Sequence, residues 1–241
     1  MMKDIVKVYK DAETLSEGFT AFLNEELANK ELVNISLSGG TTPKSIFKYW
    51  AENCQDSIDW KRIIFFWGDE RCVPPGDEHS NYGMTKEFLF SKVPAISKRQ
   101  IHRIHGEGEP DEEAIWYSNI IKGFVPYVDE TPSFDIMMLG LGDDGHTVSI
   151  FPYEINLWDS PKKCVVAKHP TSGMTRISLT GRIVNNSQNI VFLAMGKDKA
   201  LKVKEIIQQR EQFINSYPAA RVNPNFGKLY WFLDEDAASL L

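Results

Sequence analysis

Residues 63–67 read Ile-Ile-Phe-Phe-Trp, five apolar side chains in a row with no polar alternation. A strand with one wet face changes polarity at every second residue, whereas a strand covered on both faces stays apolar throughout. Such a strand needs a layer on each side of its sheet, and the rest of the chain supplies helix-type segments in alternation with strand-type runs. Strands are predicted at 5–9, 32–37, 134–140, 189–195 and 228–233 besides 63–67. Helices are predicted at 12–29, 44–50, 82–90, 111–125 and 197–209; Leu15, Phe19, Phe22, Leu23 and Leu27 recur at helical spacing in the first of these, and Ile46, Phe47 and Trp50 share one face of the second. This alternation predicts an α/β fold with a mostly parallel sheet. The 241 residues contain no internal repeat, and the Gly- and acid-rich stretch 105–113 reads as a loop leading into a helix, so a single domain over 1–241 is expected.

The net charge of -6 argues against nucleic acid as a partner, which calls for a basic stripe. It leaves room for an anionic substrate, because a local cluster of Arg and Lys can hold one inside an acidic protein. The three cysteines, Cys54, Cys72 and Cys164, form no CxxC pair, and an odd count does not make a disulfide framework. The N-terminal stretch 1–15 is interrupted by charge from Lys3 on and lacks the apolar segment of a secretory signal. No apolar run approaches the roughly 18 residues of a membrane span. A cytoplasmic protein with no membrane association is the expectation.

In open α/β sheets ligands bind at the carboxyl ends of the strands. Three predicted strands end there in polar, glycine-bearing turns that a parallel sheet would bring to one edge. The first is Ser38-Gly39-Gly40-Thr41-Thr42-Pro43. Its paired glycines let a ligand approach the backbone, Thr42 suits a helix N-cap, and Pro43 suits the first helical position. A helix N-terminus offers free N–H groups to an anion; the turn is not a Walker A loop, which would require a Gly-Lys-[Ser/Thr] ending. The second turn is Gly68-Asp69-Glu70-Arg71, in which Arg71 could hold an anion or pair internally with Asp69 or Glu70.

The third is the stretch 139–152, Leu-Gly-Leu-Gly-Asp-Asp-Gly-His-Thr-Val-Ser-Ile-Phe-Pro. Gly140, Gly142 and Gly145 match the spacing of a dinucleotide fingerprint. That fingerprint needs a helix next and then a strand ending in an acid. Pro152 interrupts any long helix, and Asp159 precedes the next apolar run instead of following it. A metal site at His146 lacks a partner histidine at ligand spacing, and the His102–His105 pair stands without other ligands. A general base remains: histidine titrates near neutrality, the glycines leave it accessible, and Asp144 could orient its ring. Two later cations complete the set. Arg176 lies in Thr-Arg-Ile-Ser-Leu-Thr, and Lys199 falls in the first turn of a predicted helix, where its charge opposes the helix dipole unless an anion is near.

Taken together, the stretches 38–43, 65–84, 139–152, 176–180, 196–200 and 227–238 resemble the 6-phosphogluconolactonases of the pentose phosphate pathway, a group related to the glucosamine-6-phosphate deaminases/isomerases. The resemblance covers nearly the whole chain. The segment Thr147-Val148-Ser149-Ile150-Phe151-Pro152 after the histidine is of the lactonase form. Val148 stands where these proteins often have Ala, a change expected to be without consequence, and Tyr153 stands where Gly is common. The resemblance implies a Rossmann-like three-layer α/β/α fold, like that of the deaminases and ribose-5-phosphate isomerases. It implies hydrolysis of a 6-phosphogluconolactone without metal or organic cofactor. In that scheme His146 is the base, Asp144 its orienting partner and Arg71 the stabiliser of anionic charge. Ser38, Gly39, Gly40, Thr41, Thr42, Arg176 and Lys199 hold the phosphate, with Asp69 beside them. Two alternatives accompany it. One is an amino-sugar-phosphate isomerase/deaminase with Asp69 as the base, and the other a non-catalytic sugar-phosphate sensor.

Overall fold

The computed structural model describes residues 4–241; residues 1–3, where the N-terminal stretch read above begins, lie outside the described residues. Six strands form the main sheet: β1 (Ile5–Tyr9), β2 (Val33–Leu37), β3 (Ile63–Trp67), β7 (Ile136–Leu139), β10 (Asn189–Ala194) and β11 (Lys228–Asp234). Their order is β1-β11-β10-β7-β2-β3, and every neighbouring pair is parallel. Every residue of β2, β7 and β10 is buried, so both faces of the sheet are covered. That is the condition the Ile63–Trp67 run implied, and it makes this an α/β sandwich of three layers. Helix α1 (Ala12–Asn29) and helix α2 (Thr41–Asn53) pack against each other and against β11, β1 and β10. A contiguous apolar core runs from Leu15 to Ala237. Within it Phe192 of β10 stacks on Trp231 of β11, ring centroids 4.2 Å apart.

The chain order within the sheet creates a switch point. From β2 it proceeds outward to β3, whereas from β7 it proceeds the other way to β10 and β11. The connections leaving the ends of β2 and β7 therefore diverge and open a crevice between them. The two turns that leave there are those at 38–43 and 140–152.

A second, smaller sheet was not anticipated. After Gly68 the chain leaves β3 and forms β4 (Asp69–Arg71), which pairs antiparallel with β9 (Thr175–Leu179); β9 pairs in turn with β8 (Cys164–Lys168). A two-stranded ribbon, β5 (Tyr127–Val128) and β6 (Thr131–Pro132), lies apart. The expected helix at 82–90 divides into α3 (Asn81–Thr85) and a wider π-type turn over Lys86–Phe90, and α4 spans Pro110–Phe124. Short α5 (Gly181–Asn185) follows β9, and a 3₁₀ turn at Lys197–Lys199 feeds α6 (Ala200–Gln208), with α7 (Arg210–Phe213) after it. Among the described residues no helix is long and apolar enough to cross a membrane.

Candidate active site

The three strand-end turns do converge. A cavity of about 280 Å³ is lined by Ser38 to Pro43, by Asp69, Arg71 and Asn81, by the 140–148 loop including His146, and by Arg176 and Lys199. Ten of the eleven candidate residues line it. Asp144 stands behind His146 and holds it from there.

The first turn differs from expectation in its cap. Helix α2 begins at Thr41, two residues before the predicted first position, and Gly40 occupies the N-cap at φ +101°, a conformation that favours glycine. Thr42 is therefore inside the helix and caps nothing. Among the described residues no side chain caps the first-turn amides. Pro43 has no N–H, so the amides of Thr41 and Thr42 remain as donors at the positive end of a thirteen-residue helix.

His146 is tied down at one nitrogen. Its Nδ1 lies 2.6 Å from Oδ1 of Asp144, and the same oxygen accepts from the His146 backbone N–H at 3.0 Å. Burial works to raise the Asp144 carboxyl, but the hydrogen bonds and charge of His146 outweigh it and hold the group below the usual aspartate range. An ionised carboxylate can only accept, so Nδ1 carries the hydrogen, and in the neutral ring the lone pair is on Nε2. The loop is shaped around the ring: a side chain at Gly142 would run into the imidazole. The Gly142 N–H donates to the His146 carbonyl at 2.9 Å. Val148, expected to be an innocuous replacement, sits at φ +47° in the wall of the cavity. A β-branched side chain is strained in that region, at a cost of order 1–3 kcal/mol. Its neighbours hold it there. Thr147 donates its hydroxyl to the Gly140 carbonyl at 2.9 Å, and the Ser149 N–H donates to Oγ of Ser178 at 3.1 Å.

Two arginines face each other across the small sheet. Arg71 and Arg176 are directly opposed in the β4–β9 register. The alternative in which Arg71 pairs with Asp69 or Glu70 does not occur. Glu70 instead accepts the backbone N–H of Arg71, Asn81 and Tyr82 at 2.7–2.8 Å and the Ser80 hydroxyl at 3.1 Å. Asp69 accepts from the Ser149 hydroxyl at 2.5 Å. Arg71 donates one Nη1 bond to the His79 carbonyl at 2.6 Å. Among the described residues neither guanidinium has a carboxylate within ion-pair distance, and the buried Nε of each has no hydrogen-bond partner. Burial lowers the Arg176 guanidinium below its ordinary value, Asp69 opposes that shift and Arg71 reinforces it. Unpaired, buried donors of like charge lining one cavity make a site for an anion.

Lys199 enters the cavity at the start of α6. The anion that its position called for is present within the protein: its Nζ pairs with Asp143, and Asp198 lies 3.5 Å away. Asp143, read from sequence as a loop residue without an assigned part, is thus the internal partner of a candidate phosphate ligand. Asn81 was missed as well. It is buried in the cavity wall against Gly39, donates Nδ2 to the Asp69 carbonyl at 2.9 Å, and directly follows Ser80, the N-cap of α3. The Ser-x-x-Gly start of that helix was the available signal. Among the described residues no group of three or more His, Cys, Asp or Glu side chains could hold a metal ion.

Comparison with known proteins agrees with this arrangement. The family model described as glucosamine-6-phosphate isomerases/6-phosphogluconolactonase matches residues 10–231. A 6-phosphogluconolactonase of Treponema pallidum is 41% identical over 192 residues, covering 80% of this chain and 79% of that protein. A 6-phosphogluconolactonase of Haemophilus influenzae is 41% identical over 210 residues, covering 87% and 88%. The crystal structure of a protein called devB superposes with a TM-score of 0.93 at 38% identity, over 99% of both chains. With a model match over most of its length and relatives at this level of identity, the chain belongs to the glucosamine-6-phosphate isomerase/6-phosphogluconolactonase family.

Proposed function

We propose that this chain hydrolyses 6-phospho-D-glucono-1,5-lactone to 6-phospho-D-gluconate, the lactone-opening step of the pentose phosphate pathway, with His146 as general base. The observation that carries the reading is the Asp144–His146 pair, 2.6 Å apart, opening its free Nε2 onto a cavity that also presents Arg71, Arg176 and Lys199. A δ-lactone is an activated ester and needs no covalent nucleophile. Water attacks the carbonyl carbon while Nε2 of His146 takes its proton, and Asp144 stabilises the imidazolium. The tetrahedral intermediate then collapses, the ring C–O bond breaks, and the leaving ring oxygen takes the proton back from His146. Arg176, Lys199 and the 38–42 turn with its helix N-terminus hold the phosphate, and Arg71 stabilises anionic charge on the substrate or intermediate. Binding energy from the remote phosphate orients the reacting carbonyl.

The three free thiols support a reducing, cytoplasmic setting, and the continuous core from Leu15 to Ala237 supports one catalytic domain over 1–241. The test is acid release from freshly prepared lactone, corrected for its spontaneous opening. His146→Ala is expected to lose about 10²–10⁴-fold in turnover with little change in KM. Turnover near that of the parent protein would remove His146 from the role. Ammonia release from glucosamine 6-phosphate by the parent protein would redirect the reading to the deaminase branch.

A further inference from the structure

Phe151 is wholly buried, yet it stands outside the contiguous apolar core. A buried phenylalanine ordinarily spends its surface on other apolar side chains. Here the ring lies against two polar groups of the site, His146 and Arg176, and two further polar aromatics, His169 and Tyr153. The His146 imidazole lies 4.7 Å away, centroid to centroid, tilted by 50°. The Arg176 guanidinium carbon lies 5.5 Å from the ring centre. His169 meets it edge-on at 5.2 Å, and Tyr153 stacks on it at 6.3 Å. All four separations fall in the ranges where aromatic pairs and cation–π pairs attract. One side chain therefore touches both the group assigned to move a proton and a group assigned to hold phosphate.

The Asp144 hydrogen bond holds one atom of the imidazole. By itself it leaves the ring free to swing about that contact, and Nε2 would sweep through the cavity. Gly142 and Phe151 limit that swing. Arg176 has the same need, since among the described residues its Nε is unpartnered and its only side-chain hydrogen bond, to the Ser149 hydroxyl, is long at 3.4 Å. We infer that Phe151 is a positioning residue: its ring sets the plane of His146 and the place of Arg176 together, and so fixes the distance between the base and the bound phosphate. Tyr153 and His169 back the ring on further sides, and the Tyr153 hydroxyl donates to the Lys168 carbonyl, joining the 151–153 segment to the end of β8. This gives Tyr153, where the resemblance led one to expect glycine, a place in the same assembly. The inference rests on the roles proposed for His146 and Arg176.

The experiment compares Phe151→Leu, which keeps an apolar side chain and removes the ring, with Phe151→Tyr, which keeps the ring. Phe151→Met serves as the ring-free variant if the leucine protein does not fold. Misplacing a reacting group by about 1 Å costs on the order of 100-fold. In folded Phe151→Leu, kcat is expected to fall and KM to rise, giving a loss of about 10- to 100-fold in kcat/KM, with a displaced acidic limb in its pH profile. Phe151→Tyr should recover most of that loss. The KM component of the leucine variant should vanish in an Arg176→Met background, because the coupled arginine is gone. A role in packing alone would lower the melting temperature and leave kcat, KM and the pH profile of the folded enzyme in place. Folded ring-free protein with parent-like kcat and KM, or effects that simply add to those of Arg176→Met, would overturn the inference. Run alongside, His146→Ala and Arg176→Met separate the two levels. If those two are silent the proposed mechanism fails, and if only the Phe151 variants are silent the positioning role alone fails.

Discussion

Phe192 stacks on Trp231 inside the parallel sheet, while Arg71 stands directly opposite Arg176 in the small antiparallel one. The first pair is what sheet packing favours. The second is what it disfavours, since like charges directly opposite each other destabilise a strand pair. The two sheets meet at Gly68, one residue long, so the chain passes from an apolar environment into a charged one within a single turn. The large sheet and its helices supply most of the apolar core, to which β8 and β9 add Cys164, Val165, Ile177 and Leu179. The small sheet holds unsatisfied donors in a fixed array, where an incoming anion can relieve them. On this view, damage to the large sheet should unfold the protein, and loss of an unpaired arginine from the small one should cost binding and leave the fold alone.

The largest expected effect tests the first half of that contrast. Phe192→Ala removes a fully buried ring from one face of the sheet and leaves a cavity, at a cost of about 3–5 kcal/mol. For a chain of this size that lowers the melting temperature by roughly 6–20 °C. A drop of only a degree or two would mean that the sheet is not where the stability lies.

The same contrast explains what could be read in advance. The bounds of β1, β3 and α1 coincide with the apolar runs and helical spacing that predicted them, because burial against many neighbours imposes a period on the residues themselves. Strand β4 is Asp-Glu-Arg and carries no such period. It is a strand only because β9, more than a hundred residues later, pairs with it. The apolar residues of β8 were visible, but nothing near them in sequence says which strand they join. At the site, the candidate residues were legible because they cluster at the ends of readable strands. The Asp143–Lys199 pair was not, since it joins segments 56 residues apart, and the parts of Glu70 and Asn81 depend on how the 71–80 loop folds back on β4. The cap of α2 was misplaced for a local reason, as Gly40 supplies a backbone turn that a threonine side chain was expected to make.

The second prediction exposes the opposite half. Arg176→Met replaces a mostly buried guanidinium with an apolar chain of similar length. The charge-assisted hydrogen bonds it offers an anion are worth about 1.5–3 kcal/mol, so KM should rise by roughly 10- to 100-fold. Stability should hold or increase, since replacing a buried unpaired charge with a packed apolar group is often neutral or favourable. Thermal melts and steady-state kinetics on the same preparation decide it. A loss of several degrees would show that the arginine pair supports the fold after all.

Between these extremes stands Glu70, which belongs to the small sheet but works as structure. Its carboxylate collects three backbone N–H groups and a hydroxyl from the 71–82 segment, and so fixes the loop that carries Arg71 and Asn81. Burial raises its pKa, and those hydrogen bonds pull the other way. Glu70→Gln turns one acceptor oxygen into an amide donor facing other donors. A stability loss of about 1–3 kcal/mol is expected, with a parallel fall in kcat/KM as the loop loosens. Retained stability with lost activity would instead put Glu70 among the groups that meet substrate.

The smallest effect concerns Lys199, a cation of the cavity that is already paired. Asp143 is largely exposed, so its bond to Lys199 is worth no more than about 1 kcal/mol. A phosphate that binds Lys199 must displace this carboxylate or share the lysine with it, and in either case it meets a negative charge in the cavity wall. Asp143→Asn keeps a side chain of the same shape and removes the charge. KM for the lactone should then fall by up to about fivefold at low ionic strength, with kcat unchanged, and the difference should shrink as salt screens the pair. If KM rises instead, Asp143 holds Lys199 in its working position. The pair would then belong with the large sheet's way of building, in which groups are satisfied within the protein, and not with the unsatisfied array that Arg71 and Arg176 present.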